Sequence, residues 1–213
     1  RSAEFARVWR PAPGWVAAAA PLPGSTPDGD LARLHQLAFA EGRDVLVERS
    51  GKDPAVRFSE IAELADSNPD RLASLPGDFG FIRFRAGGEA TVVRSCGGLV
   101  PFYLRQSGQR FAIATRLGDF VRYLPDEPRL DPLVNAIWAA SWAMMPDGRT
   151  FLDGVTILGR GHFARMGKTG RMQVGRYWNP RPKKIPYPTP ALARDHAERL
   201  RALLIAKLER DLD

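Results

Sequence analysis

Residues 75–103, LPGDFGFIRFRAGGEATVVRSCGGLVPFY, decide the fold. Phe79, Phe81, Arg83 and Arg85 fall on one side of an extended chain, and Gly80, Ile82 and Phe84 fall on the other. Gly87-Gly88 supplies a two-residue turn that tolerates positive φ, and Glu89 through Arg94 returns as the partner strand. Large apolar residues on both faces of the first strand predict a sheet buried from both sides. Gly77, Gly97 and Gly98 mark bends or places where another segment comes close. Pro101-Phe102-Tyr103 opens the next unit.

Downstream of this hairpin the pattern predicts a second one, residues 101–104 against 110–115 across Ser107-Gly108, and then a short helix or turn over 118–124. Asp131 followed by Pro132 is a favoured helix start. Val134, Ile137, Trp138, Ala140, Ser141 and Trp142 predict that this helix is largely buried. Strands follow over 155–158, 162–166 and 172–174, the last two joined at Thr169-Gly170. Upstream, we expect a strand over 5–9, a Pro-Gly turn and a second strand. A helix over 30–41 is expected from the spacing of Leu31, Leu34, Leu37 and Ala38, then a strand over 45–47. Helical segments at 58–65 and 70–75 are separated by Asn68-Pro69.

Residues 179–189 hold four prolines and two lysines and read as an extended linker. Thr189 and Pro190 then open a last helix with Leu192, Leu200, Leu203, Leu204, Leu208 and Leu212 at helical spacing. The division is therefore a domain over 1–180, a linker over 181–189, and a helix over 190–213 that begins a further domain. An amphipathic helix after a linker, together with a first residue other than Met, leads us to expect a piece of a longer protein.

Composition narrows the function classes. A hydrophobic content of 44% and a charged content of 26% are ordinary for a globular chain. No apolar run approaches the ~18 residues of a membrane span. The alanine-rich segment 15–22 is interrupted by prolines and reads as a strand rather than a signal peptide. One cysteine excludes an intrachain disulfide and fits a reducing cytoplasm. The net charge is +7, but the arginines are scattered and form no nucleic-acid module. The favoured reading of that balance is an arginine-rich composition with solvated charges, and the alternative is an acidic peptide partner drawn by long-range attraction. His35, His162 and His196 stand apart without ligand spacing, so no metal site is expected. Cys96, between Ser95 and two glycines, reads as a small structural residue rather than a reactive thiol.

The order of motifs resembles the amidotransferase-like half of the asparagine synthetase family. That family reads L-x-G-x-F-A-F, then R-D-x-x-G-x-x-P-L-Y. Here Leu75, Gly77, Phe79, Gly80, Phe81, Arg94, Gly98, Pro101, Phe102 and Tyr103 match or stand in for those positions. Residues 110–116 stand at the family's F-A-S-E strand, 128–132 at its P-x-L-D-P, and 149–155, with Gly154, at its T-L-F-x-G-V. Gly161-His162 resembles its P-G-H turn, and 176–180, with Tyr177 and Trp178, its R-Y-W-x-P. The resemblance spans about the last two thirds of the chain. It implies an α+β fold: a four-layer sandwich of two mostly antiparallel sheets flanked by helices, as in N-terminal-nucleophile (Ntn) hydrolases. The matched glycines, aromatics and Arg94 are implied to be structural.

The same resemblance bears on chemistry. Relatives use an N-terminal cysteine whose free α-amine acts as base on glutamine. No such cysteine stands near the start of this sequence, and the N-G-E segment that holds glutamine is absent. Ser95 replaces the aspartate implied to bind the glutamine α-amino group, and a hydroxyl cannot supply that charge. We therefore expect no glutaminase, no glutamine-binding residue and no catalytic residue in this chain. In relatives ATP and Mg²⁺ are held by S-G-G-x-D-S in a C-terminal synthetase domain, and neither that loop nor a Walker-type loop occurs here. The expected parent protein is an AMP-forming carbon–nitrogen ligase of the glutaminase-deficient branch, with β-lactam synthetases and lasso-peptide macrolactam synthetases, and the latter are favoured. Its expected partners are the synthetase domain, in the same or a separate chain, a peptide substrate and other biosynthetic proteins. The alternatives are a glutamine-dependent asparagine synthetase whose cysteine lies upstream, and a non-catalytic partner-binding scaffold.

Overall fold

The structure, a computed structural model, describes residues 7–9, 17–19, 38–41, 44–50, 54–75, 77–85, 89–108, 110–123, 129–141, 148–167, 171–180 and 189–212. Two units are distinct, Arg1–Trp178 and Asn179–Asp213. The first is α+β and holds two larger antiparallel sheets.

Short strands β1 (Arg7–Trp9) and β2 (Ala17–Ala19) pair antiparallel as a small separate sheet. The 30–41 helix is corrected at its end: Ala38–Glu41 is strand β3, paired antiparallel with β4 (Asp44–Ser50) through Phe39 and Leu46. The Glu41–Asp44 register leaves two residues between the strands, so a tight hairpin supplies partners that helical periodicity does not reveal. Residues 30–37 lie outside the described residues.

The central hairpin forms as its alternation predicts, with β5 (Asp78–Phe84) against β6 (Ala90–Arg94). Arg85 N–H donates to the Glu89 carbonyl at 2.8 Å where the strands converge. The Gly87-Gly88 turn itself lies outside the described residues. With β10 (His162–Met166) and β11 (Met172–Arg176), these strands make a six-stranded sheet in the order β11-β10-β6-β5-β4-β3. The second sheet, β8-β7-β9, is built from β7 (Tyr103–Ser107), β8 (Arg110–Ala114) and β9 (Val155–Ile157).

Both faces of β5 are covered, as its sequence demands. On one face Phe79, Phe81 and Val93 pack under helix α1 (Pro54–Ser67) and the 3₁₀ turn Pro69–Ser74 through Ile61, Ala65 and Leu72. Asn68 N–H closes α1 on the Leu64 carbonyl, and Pro69 cannot extend it. Arg83 donates to the Ala62 carbonyl at 3.1 Å and pairs with Asp66, as Arg85 also does, so cations meet the C-terminal end of the helix dipole. On the other face Phe84, Val92 and Met166 pack against Phe102, Leu104 and Leu158 of the second sheet region. The outer face of that sheet is covered by α2 (Gly118–Tyr123), where Phe120 packs with Leu152 and Val155.

Helix α3 (Pro132–Ser141) begins as its sequence predicts. Asp131 Oδ1 accepts from Leu133 and Val134 N–H at 3.0 and 3.2 Å. Its expected burial is corrected: only Val134 is buried, and Trp138 is 39% exposed, resting edge-on against Phe151. An apolar helix face is buried only where another element lies opposite it, and Leu133 too is half exposed. Residue 142 lies outside the described residues. Helix α4 (Pro190–Leu212) belongs to the second unit and is capped as predicted, with Leu192 N–H on Thr189 Oγ1 at 3.3 Å.

Candidate functional site

The six-stranded sheet brings several motif residues to one end, where β5 begins and β6 stops. Ser95 N–H still pairs with the Phe79 carbonyl at 3.0 Å, extending the ladder by one residue. The chain then turns through Cys96, Gly97 and Gly98, and Gly98 adopts φ 67°, a region glycine enters without steric cost. Arg94, only 7% exposed, points back across this turn. Its Nη1 donates to the Leu158 carbonyl at 2.5 Å and its Nη2 to the Gly98 carbonyl.

Two further segments close on the same point. Gly161 N–H donates to the Ser95 carbonyl at 3.1 Å, and Tyr177 and Trp178 N–H both donate to the Gly161 carbonyl. A Cβ at position 161, where φ is 63°, would lie 2.7 Å from Trp178 Cβ, so the turn admits only glycine. Tyr177 Oη donates to the Arg94 carbonyl at 2.6 Å. Arg94, Gly98, Gly161, Tyr177 and Trp178, separate motifs in the sequence, therefore form one hydrogen-bonded knot.

Other motif residues do different work. Phe79 fills the core under α1, and Gly77 takes φ 93° just before β5. Pro101 is half-buried on the approach to β7, and Tyr103 packs toward Phe120 on the outer side of the second sheet. Gly154 stands apart, in the turn before β9, and is required by its φ of 70° alone, since nothing lies within 4 Å of a Cβ there. His162 Nδ1 sits 2.8 Å from the Arg160 carbonyl, which can only accept, so the ring is held as part of the turn. His35 and residues 181–188 lie outside the described residues.

Sequence reading missed Asp78. Its side chain is buried at 5% exposure, Oδ1 accepts the Ser95 hydroxyl, and Oδ2 has no partner among the described residues. Ser95 Oγ in turn accepts from Gly98 N–H at 3.2 Å. A carboxylate therefore does stand beside Ser95, contributed by β5. The available cue was an acid between Gly77 and Phe79 in a strand otherwise destined for the core.

Cys96 lies next to this cluster. Burial pushes its thiol pKa up, and the neighbouring Tyr177 hydroxyl offsets that only in part. Burial, and then the Cys96 charge, likewise push the Tyr177 phenol well above its ordinary value. The thiol is thus held protonated and is internal to the chain, so it has no α-amine of its own to act as base. The arrangement binds backbone to backbone and presents no activated nucleophile among the described residues.

A second meeting of motifs lies between the sheets. A Cβ at Gly80 would fall 2.7 Å from the Phe102 ring and 2.7 Å from Val100 Cγ1. The resemblance pairs alanine at the first position with leucine at the second; this chain has neither. The absent methyl leaves room for the Phe102 ring between the sheets.

No family model matches the chain, and no curated protein matches it.

Proposed function

We propose that the chain is the N-terminal portion of an ATP-dependent amide-bond-forming ligase resembling asparagine synthetase, with an Ntn-hydrolase-like shell that does not hydrolyse glutamine. Within that family it is a lasso-peptide macrolactam synthetase. A C-terminal synthetase domain activates a peptide carboxylate as an acyl-adenylate with ATP and Mg²⁺, and an amine of the same peptide attacks it. Because the nucleophile comes with the substrate, no ammonia is needed and the glutaminase centre can be lost. The setting is cytoplasmic, consistent with a single free thiol.

The observation that carries this reading is the Gly80–Phe102 contact. Two residues that depart from separate motifs of the resemblance touch. The knot around Arg94 supports it further, since it gathers motif segments whose only sequence link is their order. Against glutaminase chemistry stands a thiol that burial keeps protonated and that has no α-amine of its own; the acid beside Ser95, Asp78, is engaged by the Ser95 hydroxyl.

The test uses the full-length protein. Incubated with glutamine alone, it should release no ammonia above a blank. With ATP, Mg²⁺ and a linear precursor peptide, it should form AMP and pyrophosphate in step with loss of one water from the peptide. Ammonia release from glutamine would replace this reading with a glutamine-dependent synthetase. AMP formation dependent on aspartate rather than peptide would do the same.

A further inference from the structure

We propose that the free edge of β11 takes an extended acidic peptide as an added strand. In the six-stranded sheet β11 has β10 as its one partner strand among the described residues. Gly167 N–H donates to the Arg171 carbonyl at 3.1 Å, and Tyr177 N–H donates to the Gly161 carbonyl at 2.9 Å, one bond at each end of the pair. The register between them, with Gln173 opposite Arg165 and Gly175 opposite Phe163, is unbroken. Residues 171, 173, 175 and 177 therefore turn their backbone groups to β10, and Met172, Val174 and Arg176 turn theirs to the open side. These outward N–H and C=O groups stand in strand geometry along an edge where Gln173, Val174 and Arg176 are exposed, Val174 at 55%.

The side chains decide the occupant. Neither β10 nor β11 contains an acid, and Arg165, Arg171 and Arg176 are exposed with no carboxylate paired to them among the described residues. Position 175 lacks a side chain, and a Cβ there would lie 2.3 Å from Phe163 Cζ, so the Phe163 ring reaches across β11. The Arg165 guanidinium stands 5.0 Å from the centre of that ring, and Arg176 Nε donates to the Trp178 carbonyl at 2.9 Å. A partner strand would gain affinity from main-chain bonds and selectivity from these side chains. A second copy of the chain is a poor occupant. Edge-to-edge pairing would bring the Arg171 and Arg176 of both copies together, and like charges on paired strands repel. An acidic strand meets the same cations with opposite charge. The surface is read from β10 and β11 alone and is independent of the functional reading above.

The full chain is titrated with the probe acetyl-Glu-Val-Glu-Val-Glu-Val-amide, and separately with its Lys-for-Glu counterpart, while amide hydrogen exchange is followed by NMR. The acidic probe should slow exchange at Met172, Val174 and Arg176 and leave the ladder amides of Gln173 and Gly175 unchanged. The lysine probe should do neither. Val174→Pro removes an outward N–H without touching the ladder to β10, and should weaken binding about tenfold. Arg171→Gln combined with Arg176→Gln leaves every backbone group in place. It should also weaken binding and reduce its dependence on salt. Equal binding of the two probes, protection confined to other parts of the chain, or a double variant that binds like the parent would overturn the proposal. So would protection of the same amides without probe as chain concentration rises, which would make a second copy the occupant.

Discussion

At the residue scale, Gly80 and Phe102 make the most direct test of how the sheets meet. Gly80→Ala forces a methyl into contact with the Phe102 ring and should cost about 1–3 kcal/mol by overpacking. Phe102→Leu in the parent leaves a gap and should also destabilise. Combined, the two changes should cost less than their sum by at least ~0.5 kcal/mol, read as a coupling energy from urea unfolding. Strict additivity would mean that the contact does not limit the packing. Cys96 and Tyr177 set the response to alkali. Both hold their protons in the folded chain beyond the pH at which the unfolded chain releases them. Their contribution is therefore complete below about pH 8.5, fades above it as unfolded thiol ionises, and fades faster past about pH 10, where unfolded tyrosine ionises. Tyr177→Phe removes the phenolic part, so its stability should fall less steeply than the parent's between pH 9 and about 11. Parallel curves would show that the Tyr177 proton is not linked to folding.

At the element scale, α3 depends on Asp131, which satisfies two N–H groups at the helix start and pairs with Arg149 at 3.3 Å. Asp131→Ala should cost about 1–2 kcal/mol, while Asp131→Asn, which keeps the acceptor, should cost less than half as much. Equal losses would assign the effect to the ion pair instead. This cap, the central hairpin and the Asn68-Pro69 break were legible in sequence because each rests on chemistry within a few residues. Strand β3 was not legible, since a four-residue strand is defined by its partner and carries too few residues to show a period. The exposure of α3 escaped for a different reason: aromatic and alanine content predicts a capacity for burial but not what lies opposite. Asp78 was overlooked because its role depends on Ser95 arriving beside it from the next strand.

At the scale of the whole unit, the six-stranded sheet separates two cores that share backbone but few side-chain neighbours. Leu72 belongs to the core beneath α1, and Leu104 to the core between the sheets. Leu72→Val and Leu104→Val should each cost about 1 kcal/mol, and together they should add to within ~0.5 kcal/mol. A larger coupling, read from the same unfolding curves, would show that strain passes through the sheet. The knot around Arg94 has a further consequence for biosynthesis. Its bonds join residues 64 and 83 positions apart, from Arg94 to Leu158 and from Tyr177 back to Arg94. A growing polypeptide can fold its first hairpin early, but the bond to the Leu158 carbonyl waits for Leu158 to leave the ribosome tunnel and the last bond waits for Tyr177. Until that moment the end of β6 waits for its fastening, and a stalled translation product would expose the open end of the central sheet to chaperones and proteases.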